Sequence, residues 1–243
     1  MTKAGTTFEM GLREYARMPV LLVLLLFLPA YFVLVFTAVM PDQSVLIEVP
    51  VQGRMRVAMT SMTAVLMTPM ASALISGVAG LFLMQSAKAV DGRLTIAGVS
   101  PSAILVARSS VLAVVAVTAG IVSLVVLSLT YVPERAGWFL AATVLTGLQY
   151  GAVGVVVGLV VNRLAGVYVL MFGPLLDIFI AQSPLATETP AIAPYLPSHY
   201  PLQLAFDAAF TVRIDLTNGW LGAGYLLGLW LIATYTLYRQ LHI

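Results

Sequence analysis

The strongest constraint on the fold is a series of apolar runs, each about as long as the hydrocarbon core of a bilayer is thick. A helix needs about 20 mainly apolar residues to cross a membrane. The runs are continuous rather than alternating, which favours helices over the strands of a closed barrel. The sequence therefore predicts an all-α membrane protein, a single domain over 1–243, whose six spans are residues 20–40, 57–84, 104–131, 138–161, 165–182 and 219–238.

The scarcity of charge supports the same class. Only 9% of the residues are charged and 60% are hydrophobic, whereas a soluble domain is about one quarter charged. These few charges could not cover a water-facing surface of this size. The absence of cysteine excludes a disulfide framework or a thiol nucleophile. The net charge of +2 is small and scattered, so we expect no nucleic-acid partner.

Residues 1–19 precede the first span and have the pattern of an amphipathic helix. A T-x-x-E sequence at residues 6–9 is typical of a capping box. Phe8, Leu12 and Tyr15 then fall on one helical face. We expect this segment to lie on the membrane surface, in contact with lipid.

The basic residues indicate which side of the membrane holds the termini. Six crossings place both termini on the same side, and cytoplasmic segments carry an excess of lysine and arginine. Termini in the cytoplasm leave eight basic residues inside and four outside. The inner ones are Lys3, Arg13, Arg17, Lys88, Arg93, Arg108, Arg163 and Arg239, and the outer ones are Arg54, Arg56, Arg135 and Arg213. We therefore expect a multi-pass protein of the cytoplasmic (inner) membrane.

Two polar segments interrupt the apolar runs, and this topology places them on opposite sides. Residues 87–103 lie between spans two and three and would be cytoplasmic. Residues 183–218 are rich in proline and would form an excursion on the outer side. Within the excursion, LQLAFDAAF has apolar residues at helical spacing, which predicts a short helix on the outer rim of the bundle or dipping into it.

The order of these elements, and the segment AVDGRLTIAGVSPSAILVAR in particular, resembles the membrane subunit of a type-2 ABC transporter, the export-permease family. An acid-Gly-x-Leu pattern followed by a small-residue turn with proline marks the coupling helix in that family. The resemblance implies that the ATPase contacts are Lys88, Asp91, Gly92, Arg93, Leu94, Ile96, Ser100 and Pro101. Judged on the residues alone, the segment could equally be an amphipathic loop helix that rests on lipid headgroups.

The same resemblance implies the partners. The family assembles as two membrane subunits with two cytosolic ABC ATPase subunits, so a second copy of this chain or a homologous permease is expected. The chain has no G-x-x-x-x-G-K-[ST] loop, and its only lysines are Lys3 and Lys88. It is therefore not expected to be an enzyme, to bind a cofactor or to hold a metal itself; ATP and Mg²⁺ would bind to the partner ATPase. The transported substrate would be amphipathic or apolar, because the spans offer few polar contacts.

A few polar and thioether side chains inside the spans are candidates for a substrate path. Asp177 follows Gly173-Pro174 in the fifth span, and a charge at membrane depth is a functional candidate. It could instead be wet, or capped by its neighbours, because it lies near the outer mouth. Gln149, Met62 and Met67 are weaker candidates, since methionine also fills cores. Ligation of copper by the thioethers is a further alternative.

Four glycines in the fourth span predict close helix packing. Gly147, Gly151, Gly154 and Gly158 are spaced by four, three and four residues, which places them on one helical face. Two helix backbones can approach closely where side chains are missing. The face could serve packing within one subunit, or it could slide during transport.

Two other function classes remain open at the level of sequence. A stand-alone secondary transporter or channel would use Asp177 as its ion-coupling residue, although no convincing inverted repeat accompanies it. A membrane scaffold without transport activity is also compatible with the residues.

Overall fold

The computed structural model of the chain describes residues 19–96, 101–186 and 190–241. Within these residues the protein is mainly helical, and five of the helices there are long and apolar enough to cross a membrane. The expectation of a mainly helical, multi-pass membrane protein is thereby confirmed. The amphipathic helix predicted for 1–19 lies outside the described residues, except for Pro19.

The first apolar segment is a helix with an irregular turn. Helix α1 covers Pro19–Ala30, a π-helical turn covers Tyr31–Val35, and α2 covers Phe36–Val39. Pro29 lies inside α1 just before the wider turn. Proline cannot donate the hydrogen bond that the helix needs at that point, and local π-helical adjustment is one way to absorb the defect.

A β-hairpin follows, and the prediction of an all-α fold misses it. Strand β1, Ser44–Val49, pairs antiparallel with β2, Gly53–Ala58. Residues 50–52 connect the strands, and Gly53 has a positive φ of 76°. This left-handed conformation closes a three-residue hairpin loop. The second span therefore does not begin at residue 57 as predicted, because residues 57 and 58 belong to β2.

The hairpin has one face on the protein core. Ile47, Val49 and Val57 are buried, while Arg54 and Arg56 on β2 are exposed. This alternation of buried and exposed residues is the period of a half-buried strand. The hairpin covers one end of the helical bundle, which we call the hairpin end.

Helix α3 covers Met59–Ile96 and is the longest element, with 38 residues. At about 1.5 Å per residue it is about 57 Å long. It therefore includes residues 87–96, where we expected a separate short helix. Gly92 is the only helix breaker between Gln85 and Ile96, and a single glycine costs only about 1 kcal/mol in a helix. The C-terminal part of α3 lies at the end of the bundle opposite the hairpin. We call this end the Lys88 end.

Five further helices complete the described chain. They are α4, Pro101–Leu127; α5, Ala136–Val160; α6, Arg163–Pro174; α7, His199–Phe210; and α8, Leu216–Leu241. A π-helical turn, Leu175–Ala181, extends α6, and a short 3-10 turn, Ala193–Tyr195, precedes α7. α7 contains the LQLAFDAAF segment and packs against β1 at the hairpin end.

The centre of the bundle is the contact between α3 and α5. Helices α1, α4 and α6 also pack on α3, whereas α4, α7 and α8 pack on α5. The glycine face of α5 lies against α3: a Cβ on Gly154 would collide with the carbonyl of Gly77, and one on Gly80 with the carbonyl of Gly151. Since backbone meets backbone there, only glycine fits without moving one helix.

Gly147 and Gly158 extend the same face in both directions. A Cβ on Gly147 would lie 2.7 Å from the Ser72 hydroxyl, and one on Gly158 would lie 3.1 Å from the carbonyl of Leu81. The four predicted glycines thus lie against α3 of the same chain, and Gly147 and Gly151 also approach Ala116 and Leu112 of α4.

Candidate functional site

The most unusual side chain at membrane depth is Asp177, which lies in the π-helical turn after Pro174. It is buried, with 4% of its surface exposed. Its Oδ2 accepts hydrogen bonds from the Tyr150 hydroxyl at 2.5 Å and the Ser198 backbone N–H at 3.1 Å, and its Oδ1 faces Gln182 Nε2 at 3.4 Å. Both oxygens of Asp177 therefore face hydrogen-bonding groups of the protein.

These contacts join three separate parts of the chain. Tyr150 comes from α5, Gln182 from the end of the π-helical turn, and Ser198 from the residue before α7. Pro174 ends the regular hydrogen bonding of α6, and the wide turn that follows directs Asp177 toward α5. Of the two alternatives open in the sequence, wet or capped by neighbours, the structure has the capped one.

A hydrogen-bonded chain leads from Asp177 to the surface of the hairpin end. Gln182 Oε1 lies 2.9 Å from His199 Nδ1, and His199 Nε2 lies 2.9 Å from Gln203 Nε2. An amide nitrogen can only donate, so the imidazole Nε2 accepts and Nδ1 carries the proton. Gln203, His199 and Gln182 then each donate in the same direction, toward the carboxylate of Asp177.

Burial governs the charge of His199. It lowers the pKa of the imidazole, and the negative charge of Asp177 acts in the opposite direction with a smaller effect. His199 is therefore biased toward its neutral form, in agreement with the acceptor role of Nε2.

A cavity of about 300 Å³ opens beside this chain. Its floor includes the buried side chains Leu202 and Phe206 of α7. The other residues around it are Glu48, Pro50, Gln182, Ser183, Pro184, Ala186, His199 and Gln203. The cavity therefore lies between the hairpin, the proline-rich segment and α7.

A second buried carboxylate fixes the hairpin to α7. Asp207 is fully buried, and its Oδ1 accepts a hydrogen bond from the Val51 backbone N–H at 3.0 Å. Burial raises the pKa of Asp207, and the backbone hydrogen bonds that it accepts oppose this rise. The hairpin forms one wall of the cavity and α7 forms its floor. Because Val51 lies in the hairpin loop, its hydrogen bond to Asp207 connects the two elements.

The end of α7 is bound in turn to the connection between α4 and α5. The Tyr131 hydroxyl donates to the Ala209 carbonyl at 2.8 Å, and the backbone N–H groups of Glu134 and Arg135 donate to the carbonyls of Ala209 and Ala208. These bonds satisfy carbonyls that a helix end leaves unpaired. Hydrogen bonds thus connect the hairpin to α7, and α7 to the segment between α4 and α5.

The other predicted path residues lie in the interior of the bundle. Gln149 is fully buried on α5, and its Nε2 donates to the Gly222 carbonyl of α8 at 2.8 Å. Met62 and Met67 are buried in the apolar cluster of α3. The structure does not bring these three side chains to the cavity described above.

The predicted ATPase-contact residues lie at the opposite end of the molecule. The backbone of residues 88–96 continues α3, Pro101 begins α4, and Ser100 lies outside the described residues. Nearby, Gln85 Nε2 donates to the Val161 carbonyl at 3.1 Å, and the Arg163 guanidinium lies 4.5 Å from the centre of the Phe82 ring. The turn between α5 and α6 is therefore attached to α3 where α3 leaves its apolar stretch.

The sequence pattern identified none of the three hydrogen-bond partners of Asp177, which are Tyr150, Gln182 and Ser198. Tyr150 has the pattern of a core aromatic, and Gln182 and His199 fall in different predicted segments. Only the acidic residue after a proline was visible as a signal. In the described part of the chain, no group of three or more His, Cys, Asp or Glu side chains could hold a metal ion.

Comparison with known proteins adds no assignment. No family model matches the chain, and no curated protein matches it.

Proposed function

We propose that this chain is the permease subunit of an ATP-driven exporter of the type-2 ABC class, and that it moves an amphipathic or apolar substrate across the cytoplasmic membrane. The helical architecture supports this proposal, since five long apolar helices are present. The segment from Pro19 to Val39 is continuous and helical. It is about 31 Å long at about 1.5 Å per residue, which is enough for a sixth span.

The observation that carries the proposal is the length of α3. Its apolar stretch is Met59–Gln85. That stretch already exceeds the thickness of a hydrocarbon core, which is about 30 Å. Residues 86–96 belong to the same helix. They add about 16 Å of continuous helix beyond the apolar stretch. Residues 87–96, the first part of the segment that resembles a coupling helix, are thus the end of one continuous helical rod whose other part is the buried centre of the bundle.

Such a rod is a suitable element for receiving force from a partner protein. A displacement of its protruding end would be transmitted to α5 through the glycine contact, because backbone packed on backbone leaves little slack. The charges of Lys88, Asp91 and Arg93 belong to this end. In this proposal the Lys88 end and both termini are cytoplasmic, and the partner is a cytosolic ABC ATPase that binds ATP and Mg²⁺.

Purification of this chain together with the products of its neighbouring genes, followed by reconstitution, tests the proposal. We expect an ABC ATPase and a second permease copy to be recovered with the chain, and the complex to couple ATP hydrolysis to substrate export. Arg93→Glu reverses a charge on the protruding end and should lower coupled export several-fold. Arg213→Glu reverses an exposed charge beyond α7, at the opposite end, and should leave export unchanged.

Thiol labelling tests the orientation independently. The chain contains no cysteine, so Thr95→Cys creates a unique label site. We expect labelling by a membrane-impermeant maleimide only after the membrane is opened. Labelling from the outside of intact cells, or recovery of the chain without any ATPase, would refute the proposal.

One observation favours a second candidate function, transport coupled to protons without an ATPase. The hydrogen-bonded chain from Gln203 through His199 and Gln182 to Asp177 connects the hairpin-end surface with the bundle interior. Transport by the chain alone in liposomes, driven by a proton gradient and lost in Asp177→Asn, would establish that function instead.

A further inference from the structure

The hairpin-end cavity is rich in hydrogen-bond acceptors. Gln203 Nε2 is engaged by His199, and in the described part of the chain Gln203 Oε1 accepts no hydrogen bond. Ser183 and Glu48 also line the cavity. A ligand that donates hydrogen bonds would therefore find partners that the protein leaves free.

The charge of the cavity has one sign. Glu48 is the only charged residue among the described residues that line it, and no lysine or arginine does. Arg54 is opposite Glu48 in the hairpin register, but it does not line the cavity. Since burial keeps His199 biased toward neutrality, the cavity favours a cation.

The floor sets a second requirement. Leu202 and Phe206 line it and expose 2% and 5% of their surfaces, which leaves a narrow apolar contact for a ligand. The volume of about 300 Å³ suits a small organic molecule or the head of a larger one. A metal ion is disfavoured, because one carboxylate and one imidazole make a poor ligand set among the described lining residues.

We infer that this cavity is a binding site for an amphipathic organic cation, with the protonated amine held by Glu48 and Gln203 Oε1 and the apolar part against Leu202 and Phe206. The inference rests on the proposed function only in naming this ligand class as the transported substrate. Binding itself requires no ATPase, so the two claims can fail separately.

Protonation of His199 would oppose this binding. An imidazolium has no acceptor at Nε2, so the Gln203 amide would turn its Oε1 toward the ring and withdraw it from the ligand. The new positive charge would also repel the amine. The groups around His199 come from three elements. They are Asp177 and Gln182 of the π-helical turn and its end, Tyr200 and Gln203 of α7, and Glu48 of β1 on the cavity wall; the hairpin cation opposite Glu48 is Arg54. Binding should weaken as the pH falls through the pKa of His199.

The test uses the full chain in nanodiscs and the probe 4-fluorophenethylammonium, followed by ¹⁹F NMR line broadening against empty nanodiscs. Neutral 2-(4-fluorophenyl)ethanol has the same apolar part and should bind much more weakly. Glu48→Gln should weaken binding of the ammonium probe by about 2- to 5-fold, the range of an exposed ion pair. Arg54→Gln removes the opposing charge and should strengthen it.

Two further variants decide between binding and misfolding. Glu134→Gln neutralises an exposed carboxylate at the same end that does not line the cavity, and should leave binding unchanged. His199→Gln should bind the probe at neutral pH and lose the weakening in acid. Equal binding of the alcohol and the ammonium, or equal loss in Glu48→Gln and Arg54→Gln, would overturn the inference. If the chain bound the probe but was recovered from cells without any ATPase, this inference would be upheld while the exporter proposal fails.

Discussion

Helices α3 and α8 both have the length and composition of membrane spans, yet their surroundings are opposite. In α3, 94% of the most apolar 18-residue stretch is buried inside the protein, whereas in α8 the share is 17%. α3 is surrounded by α1, α4, α5 and α6, while α8 packs mainly on α5 and α7. One helix is the centre of the molecule and the other lies at its margin.

The residues of the two helices explain this difference. The buried part of α3 contains Ser72, Ser76 and Gly77, whereas α8 exposes Leu227 and Leu231. Lipid tails are as apolar as leucine, so hydrophobicity does not draw a helix inward once it is in the membrane. Close packing of small residues does, and large apolar residues are left for the lipid.

The largest effect that this comparison predicts is at Gly154. Gly154→Ala places a methyl group against the carbonyl of Gly77, so α3 and α5 must separate. We expect a loss of about 3 kcal/mol in the free energy of unfolding, the upper range for overpacking. Tryptophan fluorescence during thermal unfolding in detergent measures it.

Gly228→Ala is the matched control. It makes the same substitution in α8, where nothing lies within 4 Å of the added methyl group. The gain in helix propensity is the same in both variants, so their difference isolates the packing. Equal stability of the two variants would mean that α3 is not packed more tightly against its neighbours than α8 is.

The glycine contact was the part of the core that the sequence could predict, because its period of three and four residues is local information. The partner of that face, α3, was not predictable, since four-residue spacing says nothing about which helix lies opposite. The hairpin is a different case. The alternation of Arg54, Met55, Arg56 and Val57 has the period of a strand, but the apolar run that begins at Val57 hides it.

The candidate site shows the same division. Asp177 could be identified because a charge is rare at membrane depth. Its hydrogen-bond partners come from positions 150, 182 and 198, and only the fold brings these together. Residues whose role depends on distant parts of the chain carry no local pattern that a sequence could display.

A second prediction concerns the polar contact that binds α5 to the hairpin end. Asp177→Ala leaves the Tyr150 hydroxyl and the Ser198 N–H without their acceptor in a buried site. We expect a loss of about 2 kcal/mol, because an unmade buried hydrogen bond costs about 1–3 kcal/mol. The same unfolding assay measures it.

Tyr150→Phe refines that measurement. It removes one donor and leaves Asp177 its other partners, so it should cost less than Asp177→Ala. If both variants were as stable as the parent protein, the carboxylate would not contribute to the attachment of α7. A role of Asp177 in proton-coupled transport would then be favoured over a structural one.

The smallest effect is expected at Gln149, where α5 meets the marginal helix. Its Nε2 donates to the Gly222 carbonyl, but among the described residues its Oε1 has no hydrogen-bond partner. Gln149→Leu removes both the bond and the unpaired oxygen, so the two changes partly cancel. Hydrogen bonds between membrane helices contribute about 0.6 kcal/mol on average, and we expect a change no larger than that. A loss of unfolding free energy as large as that of Gly154→Ala would contradict this expectation. It would show that the single hydrogen bond from Gln149 holds α8 firmly, despite the exposed position of that helix.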